Sequence, residues 1–232
     1  MFCHHCGTQV GQGAQFCPNC GQAVGPEGAL GAAVQTLWTP PVGVHSQTGR
    51  WIGEAWGIVK NDLGAYVLLA IVFTIISGAV PIILQGPMIA GFHIYTMRKL
   101  ENRPAELADL FKGFNFFVPT LVATILIGLL TALGTLACII PGLVIAAMYK
   151  FTYLFIIDKR MDFWPAMQAS HSIVKQDYFG FTMFLLALVG INLLGVLCCI
   201  IGIFVTIPIT YVAITVAYHE LVGFDPATAA AL

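Results

Sequence analysis

Three long stretches of the chain are almost free of charged residues, and short polar segments separate them. Residues 63–97 and 178–219 contain no Asp, Glu, Lys or Arg, and residues 113–157 contain only Lys150. A membrane-spanning helix needs about 20 apolar residues. Each stretch is about twice that length, so each is predicted to form a hairpin of two spans.

Small and helix-breaking residues lie near the middle of each stretch, where a hairpin has to turn. They occur in SGAVPIILQGP (77–87), GTLACIIPG (134–142) and GVLCCIIG (195–202), and Gly and Pro interrupt helices. The pattern predicts an all-α polytopic membrane domain of about six helices in three antiparallel hairpins. The spans are predicted near residues 63–80, 84–99, 117–137, 141–158, 179–198 and 202–220. Gly86 and Pro87 leave open whether the second span crosses fully or is re-entrant.

The polar segment before each hairpin is predicted to contain an amphipathic helix at the membrane surface. Such a pattern occurs at 49–63, 103–114 and 161–179. In the first segment, one helical face is formed by Trp51, Ala55, Trp56, Val59 and Leu63. These helices either redirect the chain between spans or bind lipids or partners.

The composition of the chain predicts where the protein is located, and the placement of its charges predicts its orientation in the membrane. The chain has 232 residues, of which 58% are hydrophobic and 9% charged, whereas a soluble domain carries about 25% charged residues. None of the ten Lys and Arg residues lies in a hairpin turn. The positive-inside rule therefore predicts a multi-pass protein of the bacterial cytoplasmic membrane with both termini in the cytoplasm.

The N-terminal segment CHHCGTQVGQGAQFCPNCG (3–21) has the ligand spacing of a metal site. Cys3, Cys6, Cys17 and Cys20 form a C-x2-C-x10-C-x2-C pattern, and four thiolates in a tetrahedron suit a structural zinc ion. Iron in a rubredoxin-like site is the alternative. A segment this short has no room for an apolar core, so one bound zinc ion is expected to supply most of its folding energy.

The same segment carries no charge, which limits what it can bind. Residues 1–26 contain no Lys, Arg, Asp or Glu, and nucleic-acid affinity depends on cationic contacts to phosphate. A site closed by four protein ligands also leaves no position for catalysis. The roles that remain for this segment are docking to another protein and structural capping. The predicted domains are a zinc ribbon at 1–22, a flexible Gly/Ala/Pro-rich linker at 23–48, the helical membrane domain at 49–223 and a tail at 224–232.

The chain also resembles known families. The ribbon and its linker resemble the zinc-ribbon domains fused to many bacterial membrane proteins. The remainder resembles a broad group of bacterial and archaeal integral membrane proteins, which is similar to the membrane domain ahead of some glycerophosphodiester phosphodiesterases. The stretches that carry this resemblance are GPMIAGF (86–92), LFKGFNFFVP (110–119), CIIPGLVI (138–145) and AMQASHSIVK (166–175). It implies a lipid-embedded helical module without an assigned activity, because the hydrolase of those proteins is a separate soluble domain.

Polar residues inside a membrane are costly and so mark candidate sites. Lys150 and His93 form the candidate intramembrane polar site. Lys150 either pairs with a carboxylate or a lipid phosphate, or extends its ammonium towards the cytoplasmic surface. His93 is either a helix-packing residue or a proton relay. Near the turns, Cys138 either forms a disulfide with Cys198 or Cys199, or all three are buried free thiols.

The leading functional hypothesis is a non-enzymatic integral membrane module whose cytoplasmic zinc ribbon docks a protein partner. The alternative is a transporter or a lipid-handling protein. The predicted spans contain no Asp or Glu before their ends, so no catalytic residues are predicted. The expected partners are membrane lipids and either another protein or a second copy of the chain, without nucleic acid.

Overall fold

The computed structural model describes residues 38–198, 202–226 and 228. The chain divides into two compact units, Met1–Thr39 and Pro40–Leu232, and all helices given below belong to the second. The predicted zinc ribbon and most of the predicted linker lie outside the described residues. These domain boundaries therefore stay predictions.

The described residues form helices and connecting turns, with no strand among them. The elements, in chain order, are α1 (Thr48–Asn61), α2 (Leu63–Ala79), α3 (Gln85–Leu100), a 3₁₀ helix (Leu107–Phe116), α4 (Phe117–Ala137), α5 (Ile139–Met148), α6 (Thr152–Asp158), α7 (Phe163–Val174), α8 (Tyr178–Leu197) and α9 (Ile203–Leu221). The all-α prediction is confirmed for this part of the chain.

Four segments of the described chain are long and apolar enough to cross a membrane. They are Leu107–Ala137, Ile139–Asp158, Tyr178–Leu197 and Ile203–Leu221. A fifth is possible if α1 and α2, which meet at an angle of 99°, together form one broken span. Helix α3 has 16 residues and does not belong to this set. The helices thus support a membrane protein, while the arrangement of six spans stays a prediction.

A short helix precedes each of the three helical pairs. Helix α1 leads into α2 and α3, the 3₁₀ helix leads into α4 and α5, and α7 leads into α8 and α9. The first and third junctions share the sequence Val-Lys-x-Asp. At the third junction, Asp177 accepts a hydrogen bond from the backbone N–H of Gly180 at 2.9 Å and so caps α8. At the first, Asp62 instead accepts a hydrogen bond from Lys99.

Helix α3 lies at the centre of the fold. Every residue from Gly86 to Met97 is buried, because α2, α4, α6, α9 and the 3₁₀ helix all pack against it. The approach to the 3₁₀ helix is very close: a Cβ atom on Gly91 would lie 1.7 Å from the carbonyl oxygen of Leu110. A Cβ atom on Gly113 would lie 2.0 Å from the carbonyl oxygen of Pro87. The two glycines therefore permit the contact that fixes α3 against the second hairpin.

The outer surfaces of α4 and α8 are apolar. Val118 and Leu136 on α4 are 67% and 85% exposed, and Phe179 and Leu197 on α8 are 76% and 72% exposed. Further large apolar side chains between them are also exposed. Contiguous apolar surface of this kind is unfavourable in water. Contact with lipid acyl chains accounts for it.

Two local predictions are changed by the packing. On α1, Trp51, Ala55 and Val59 are buried as expected, but Trp56 and Leu63 are 47% and 42% exposed. The predicted apolar face is thus narrower, because α8 and α9 cover only one side of α1. The predicted span at 141–158 is also interrupted, since α5 ends at Met148 and α6 begins at Thr152.

Candidate functional site

The interruption between α5 and α6 contains Lys150, and α7 bridges it. The Ser170 hydroxyl donates a hydrogen bond to the carbonyl oxygen of Met148 at 2.6 Å and accepts one from the N–H of Phe151 at 3.2 Å. A buried backbone group without a partner costs free energy comparable to a lost hydrogen bond. Ser170 supplies partners on both sides of the break and thereby stabilises a non-helical segment inside the bundle.

His93, the second predicted site residue, is buried on α3 beside α9. Its Nδ1 atom lies 2.8 Å from Oγ1 of Thr215. The Thr215 hydroxyl already donates its one proton to the carbonyl oxygen of Tyr211, at 2.8 Å. With the Thr215 hydroxyl donating to Tyr211, the proton in the contact with His93 comes from Nδ1. The neutral ring then has its lone pair on Nε2.

Two tyrosines lie on the elements that carry Lys150 and that cover His93. The Tyr211 ring contacts the His93 ring edge to face, with centroids 5.5 Å apart. The Tyr153 hydroxyl lies 2.9 Å from Oγ1 of Thr124. Within the described residues, no hydrogen bond or ion pair joins Lys150 to His93, and their grouping as one site stays a prediction.

These groups come from all three helical pairs. His93 lies on α3, Lys150 and Tyr153 lie at the break and on α6, and Tyr211 lies on α9. In each case the residue is on the second half of its pair. We refer to Lys150, His93, Tyr153 and Tyr211 as the polar cluster. Helix α3 packs against both α6 and α9, so these residues lie on neighbouring elements.

Lys150 differs from the other basic residues in its surroundings. Six of the ten basic side chains lie within 3.5 Å of a carboxylate: Arg50, Arg98, Lys99, Arg103, Lys112 and Lys159. Three others are exposed: Lys60, Arg160 and Lys175. Lys150 is half-buried, and no carboxylate of the described residues lies within 4.0 Å of its ammonium. The pairing with a protein carboxylate that the sequence left open is therefore not found in this part of the chain.

A second set of polar contacts lies at the helix ends and has a structural role. Asp158 is fully buried and accepts hydrogen bonds from the Tyr218 hydroxyl and from the N–H of Asp225, each at 2.8 Å. Lys159 lies 3.2 Å from the same carboxylate. The bonds join the end of α6 to α9 and to the segment that follows α9. The donors leave little of the carboxylate free for a ligand.

Asp177 holds the segment before α1 in the same way. Its carboxylate accepts hydrogen bonds from the backbone N–H groups of Ser46, at 3.0 Å, and of Gly180, at 2.9 Å. These bonds stabilise the charged form and lower the pKa of the Asp177 carboxyl. The neighbouring Gln176 accepts a hydrogen bond from the N–H of Val44 at 3.2 Å. The end of the predicted linker is thus fixed to the junction between α7 and α8.

The cysteines fall into two groups. Cys138 and Cys198 are exposed free thiols, each directly after a helix end. The prediction that they are buried is wrong, and no disulfide joins these two; Cys199 lies outside the described residues. So do Cys3, Cys6, Cys17 and Cys20, the predicted zinc ligands. Within the described ranges, no group of three or more His, Cys, Asp or Glu side chains could hold a metal ion.

Sequence reasoning missed the tyrosines of the polar cluster. Tyr153 follows Lys150 by three residues, and Tyr211 precedes Thr215 by four on α9, so Tyr211 and Thr215 share a helical face. This spacing was a usable signal, since it places polar atoms together within apolar helices. Which helices face one another was not available from the spacing.

The chain was compared with protein families, with individual proteins and with solved structures. Residues 2–24 match the zinc-ribbon domain family. An uncharacterised protein of Mycobacterium bovis is 29% identical over 196 residues, which cover 84% of this chain and 56% of that protein. Uncharacterised proteins of two Mycobacterium tuberculosis strains match over the same length, at 29% and 28% identity. The chain thus spans about half the length of these relatives. No solved structure matches it.

The family match supports a zinc ribbon at residues 2–24, and the apolar, membrane-like helices are a feature of the structure. The comparisons do not bear on the resemblance to the membrane domain of glycerophosphodiester phosphodiesterases, which stays a prediction. Zinc binding itself is inferred from the ribbon family.

Proposed function

We propose that this protein is a non-enzymatic module of the cytoplasmic membrane whose zinc ribbon docks a partner protein. The observation that carries the proposal is the match of residues 2–24 to the zinc-ribbon family, in a chain with four helical segments that are long and apolar enough to span a membrane. A membrane domain joined to a small zinc ribbon suits the recruitment of another protein to the membrane surface.

The donor set of the ribbon fits a structural zinc ion. Cys3, Cys6, Cys17 and Cys20 supply four thiolates, which fill the tetrahedral coordination that zinc prefers. A closed site supplies rigidity and folding energy. Because residues 1–26 carry no charged side chain, the surface offered to a partner is uncharged. Protein docking fits such a surface better than binding to a nucleic acid does.

The proposed orientation places both termini in the cytoplasm. It rests on the absence of Lys and Arg from the hairpin turns. The native thiols of Cys138 and Cys198 offer a direct test because both are exposed at helix ends. A membrane-impermeant maleimide added to intact cells is expected to label them, and a Cys138→Ser, Cys198→Ser variant controls for other thiols. Labelling only after the cells are lysed would contradict this orientation.

The docking proposal is tested by native mass spectrometry of the protein in nanodiscs taken directly from its own membrane. We expect a mass that includes one zinc ion and either a stoichiometric partner or a second copy of the chain. Both additions should be lost when Cys17 and Cys20 are replaced by Ser. Cys138→Ser is the matched control, since it removes a thiol outside the ribbon. A partner that stays bound without zinc, or a protein with zinc and no partner, would refute docking through the ribbon.

The alternative function, lipid handling or transport, is favoured by one specific observation. Lys150 is half-buried at the break between α5 and α6, and no carboxylate of the described residues lies within 4.0 Å of its ammonium. A charge there is costly unless a ligand or water stabilises it.

A further inference from the structure

Residues 41–46, which we call the strap, lie just before α1 and bind to the junction between α7 and α8. The side-chain amide of Gln176 donates a hydrogen bond to the carbonyl oxygen of Pro41 at 2.7 Å and accepts one from the N–H of Val44 at 3.2 Å. A closed β-turn would join these two backbone groups directly. The strap bends between them at Gly43, whose φ of +76° favours glycine. One side chain thus recognises both ends of the bend.

The strap also fits the junction by shape. The Asp177 carboxylate accepts a hydrogen bond from the N–H of Ser46 at 3.0 Å. A Cβ atom on Gly180 would lie 2.8 Å from the Cβ atom of Ser46, so the glycine leaves room for the strap. Val44 is only 6% exposed, whereas Val42 is 96% exposed. The strap is therefore bound through its backbone and one apolar side chain.

Gln176 and Asp177, which we call the corner, are held in place independently of the strap. The Gln176 amide also donates to the carbonyl oxygen of Ser172 on α7 at 3.3 Å. The Asp177 carboxylate also accepts from the N–H of Gly180 on α8 at 2.9 Å. Each side chain is thus anchored on its own helix and presents further hydrogen-bonding capacity to the strap. The corner is a preformed binding surface for a peptide backbone.

The contacts of the strap are few compared with those of the helix that follows it. Val44 is the only buried residue of the strap, whereas α1 buries Trp51, Ala55 and Val59. His45 lies 4.0 Å from the Asp177 carboxylate, but its side chain is 79% exposed, and an exposed ion pair contributes little. Segments with few buried apolar contacts open locally while the rest of a protein stays folded.

We propose that the corner is a peptide-binding site and that the strap is its intramolecular ligand, which leaves by local opening while the helices stay folded. The ligand class is a short uncharged peptide with a glycine bend followed by a small apolar residue. The strap lies between the ribbon match at residues 2–24 and α1, so its opening lengthens the chain that joins them. This consequence rests on the proposed docking function of the ribbon, whereas the site and its opening do not.

Hydrogen–deuterium exchange of the full-length protein in nanodiscs tests occupancy and opening. In the parent protein, the amides of Val44 and Ser46 should exchange more slowly than in an unstructured peptide. They should also exchange faster than the amides of α8 and α9, because the strap opens first.

Two variants should speed this exchange from opposite sides of the contact. Gln176→Ala removes two hydrogen bonds to the strap and should raise the exchange rate of Val44 about tenfold. Gly43→Ala meets no atom within 4 Å, but alanine disfavours the positive φ, so a rise of about fivefold to thirtyfold is expected. The matched controls are Gln168→Ala, at an exposed position of α7, and Gly49→Ala, at an open position without a positive φ.

A peptide added in trans tests whether the corner is a binding site in its own right. The receptor is full-length Val44→Asp, because a charge at this buried position should displace its own strap. A labelled peptide of residues 39–48 should bind this variant, as measured by fluorescence anisotropy. It should not bind the parent protein, whose tethered strap competes at a high effective concentration. Binding should be lost when Gln176→Ala is added, or when the peptide itself carries Val44→Asp.

Four results would overturn the inference. Unprotected strap amides in the parent protein would mean that the strap is not bound. Equal exchange in Gln176→Ala and Gln168→Ala would mean that the corner does not hold it. Strap amides that exchange only as slowly as α8 and α9 would mean that it does not open by itself, and a peptide that fails to bind Val44→Asp would exclude a separate site. None of these measurements involves zinc or a partner protein, so failure here is distinguishable from failure of the docking proposal.

Discussion

The contact between α3 and the 3₁₀ helix predicts a large effect from a single methyl group. In Gly91→Ala the new Cβ atom would lie 1.7 Å from the carbonyl oxygen of Leu110. Carbon and carbonyl oxygen atoms in contact are about 3.3 Å apart or more, so the two backbones would have to separate by roughly 1.6 Å. The obstructing atom is a backbone oxygen, and no side-chain rotation relieves the clash.

The cost can be estimated from overpacking. Extra methylene groups in a packed core cost about 1–3 kcal/mol, occasionally more, and a clash with backbone should fall at the upper end. For a chain of this size, each kcal/mol shifts the unfolding temperature by about 2–4 °C. We therefore expect a loss of roughly 6–12 °C. The assay is thermal unfolding in detergent, followed by size-exclusion chromatography of the fraction that stays monodisperse.

Two further variants make the interpretation specific. Gly190→Ala is the control, because no atom lies within 4 Å of its added Cβ atom; a small effect, favourable through helix propensity, is expected. Gly113→Ala should destabilise like Gly91→Ala, and the double variant should lose less than the sum, since one separation of the helices relieves both clashes. A Gly91→Ala protein as stable as Gly190→Ala would refute the close contact.

Three other substitutions test the polar contacts. Asp177→Asn should destabilise the protein above about pH 4, the pKa of an unfolded Asp. The difference from the parent should disappear at lower pH, because the lowered pKa of folded Asp177 means that its contribution is lost as the carboxylate is protonated; a difference independent of pH would contradict this. Asp158→Asn should cost about 1–3 kcal/mol in the same unfolding assay and speed amide exchange after α9, and unchanged exchange would refute the anchoring role. Ser170→Ala should lower the free energy of unfolding by a similar amount, because it leaves two backbone groups unpaired. Ser172→Ala removes one local hydrogen bond and should lower it less. Equal losses in the two variants would contradict the bridging of the break by Ser170.

The sequence predicted the helical class and the approximate position of most helices. Charge-free stretches and Gly- or Pro-containing turns suffice for this, because both are local properties of the chain. The break in the predicted span at 141–158 was not foreseen. It depends on Ser170, which lies 22 residues after Met148 and bonds to its carbonyl oxygen only because α7 folds back onto that point.

For the candidate sites, too, some features were predicted from the sequence and others required the tertiary structure. The four zinc ligands were predicted from their spacing alone. The match of residues 2–24 supports a zinc-ribbon domain, while the individual ligands stay a prediction. Lys150 and His93 were identified because polar residues are rare in apolar helices. The contacts of His93 with Thr215 and Tyr211 required α3 and α9 to be placed against each other.

The sequence by itself determined that residues 49–223 are helical and compatible with lipid and that four cysteines precede them in the spacing of a zinc ribbon, because composition, spacing and hydrophobic length are local properties of the chain. Only the tertiary structure decided that α3 is the buried centre and that Lys150 has no carboxylate partner among the residues that the structure describes. Both depend on contacts between residues far apart in the chain, such as Gly91 with Leu110 and His93 with Thr215. Periodicity along one helix carries no information about which other helix covers it.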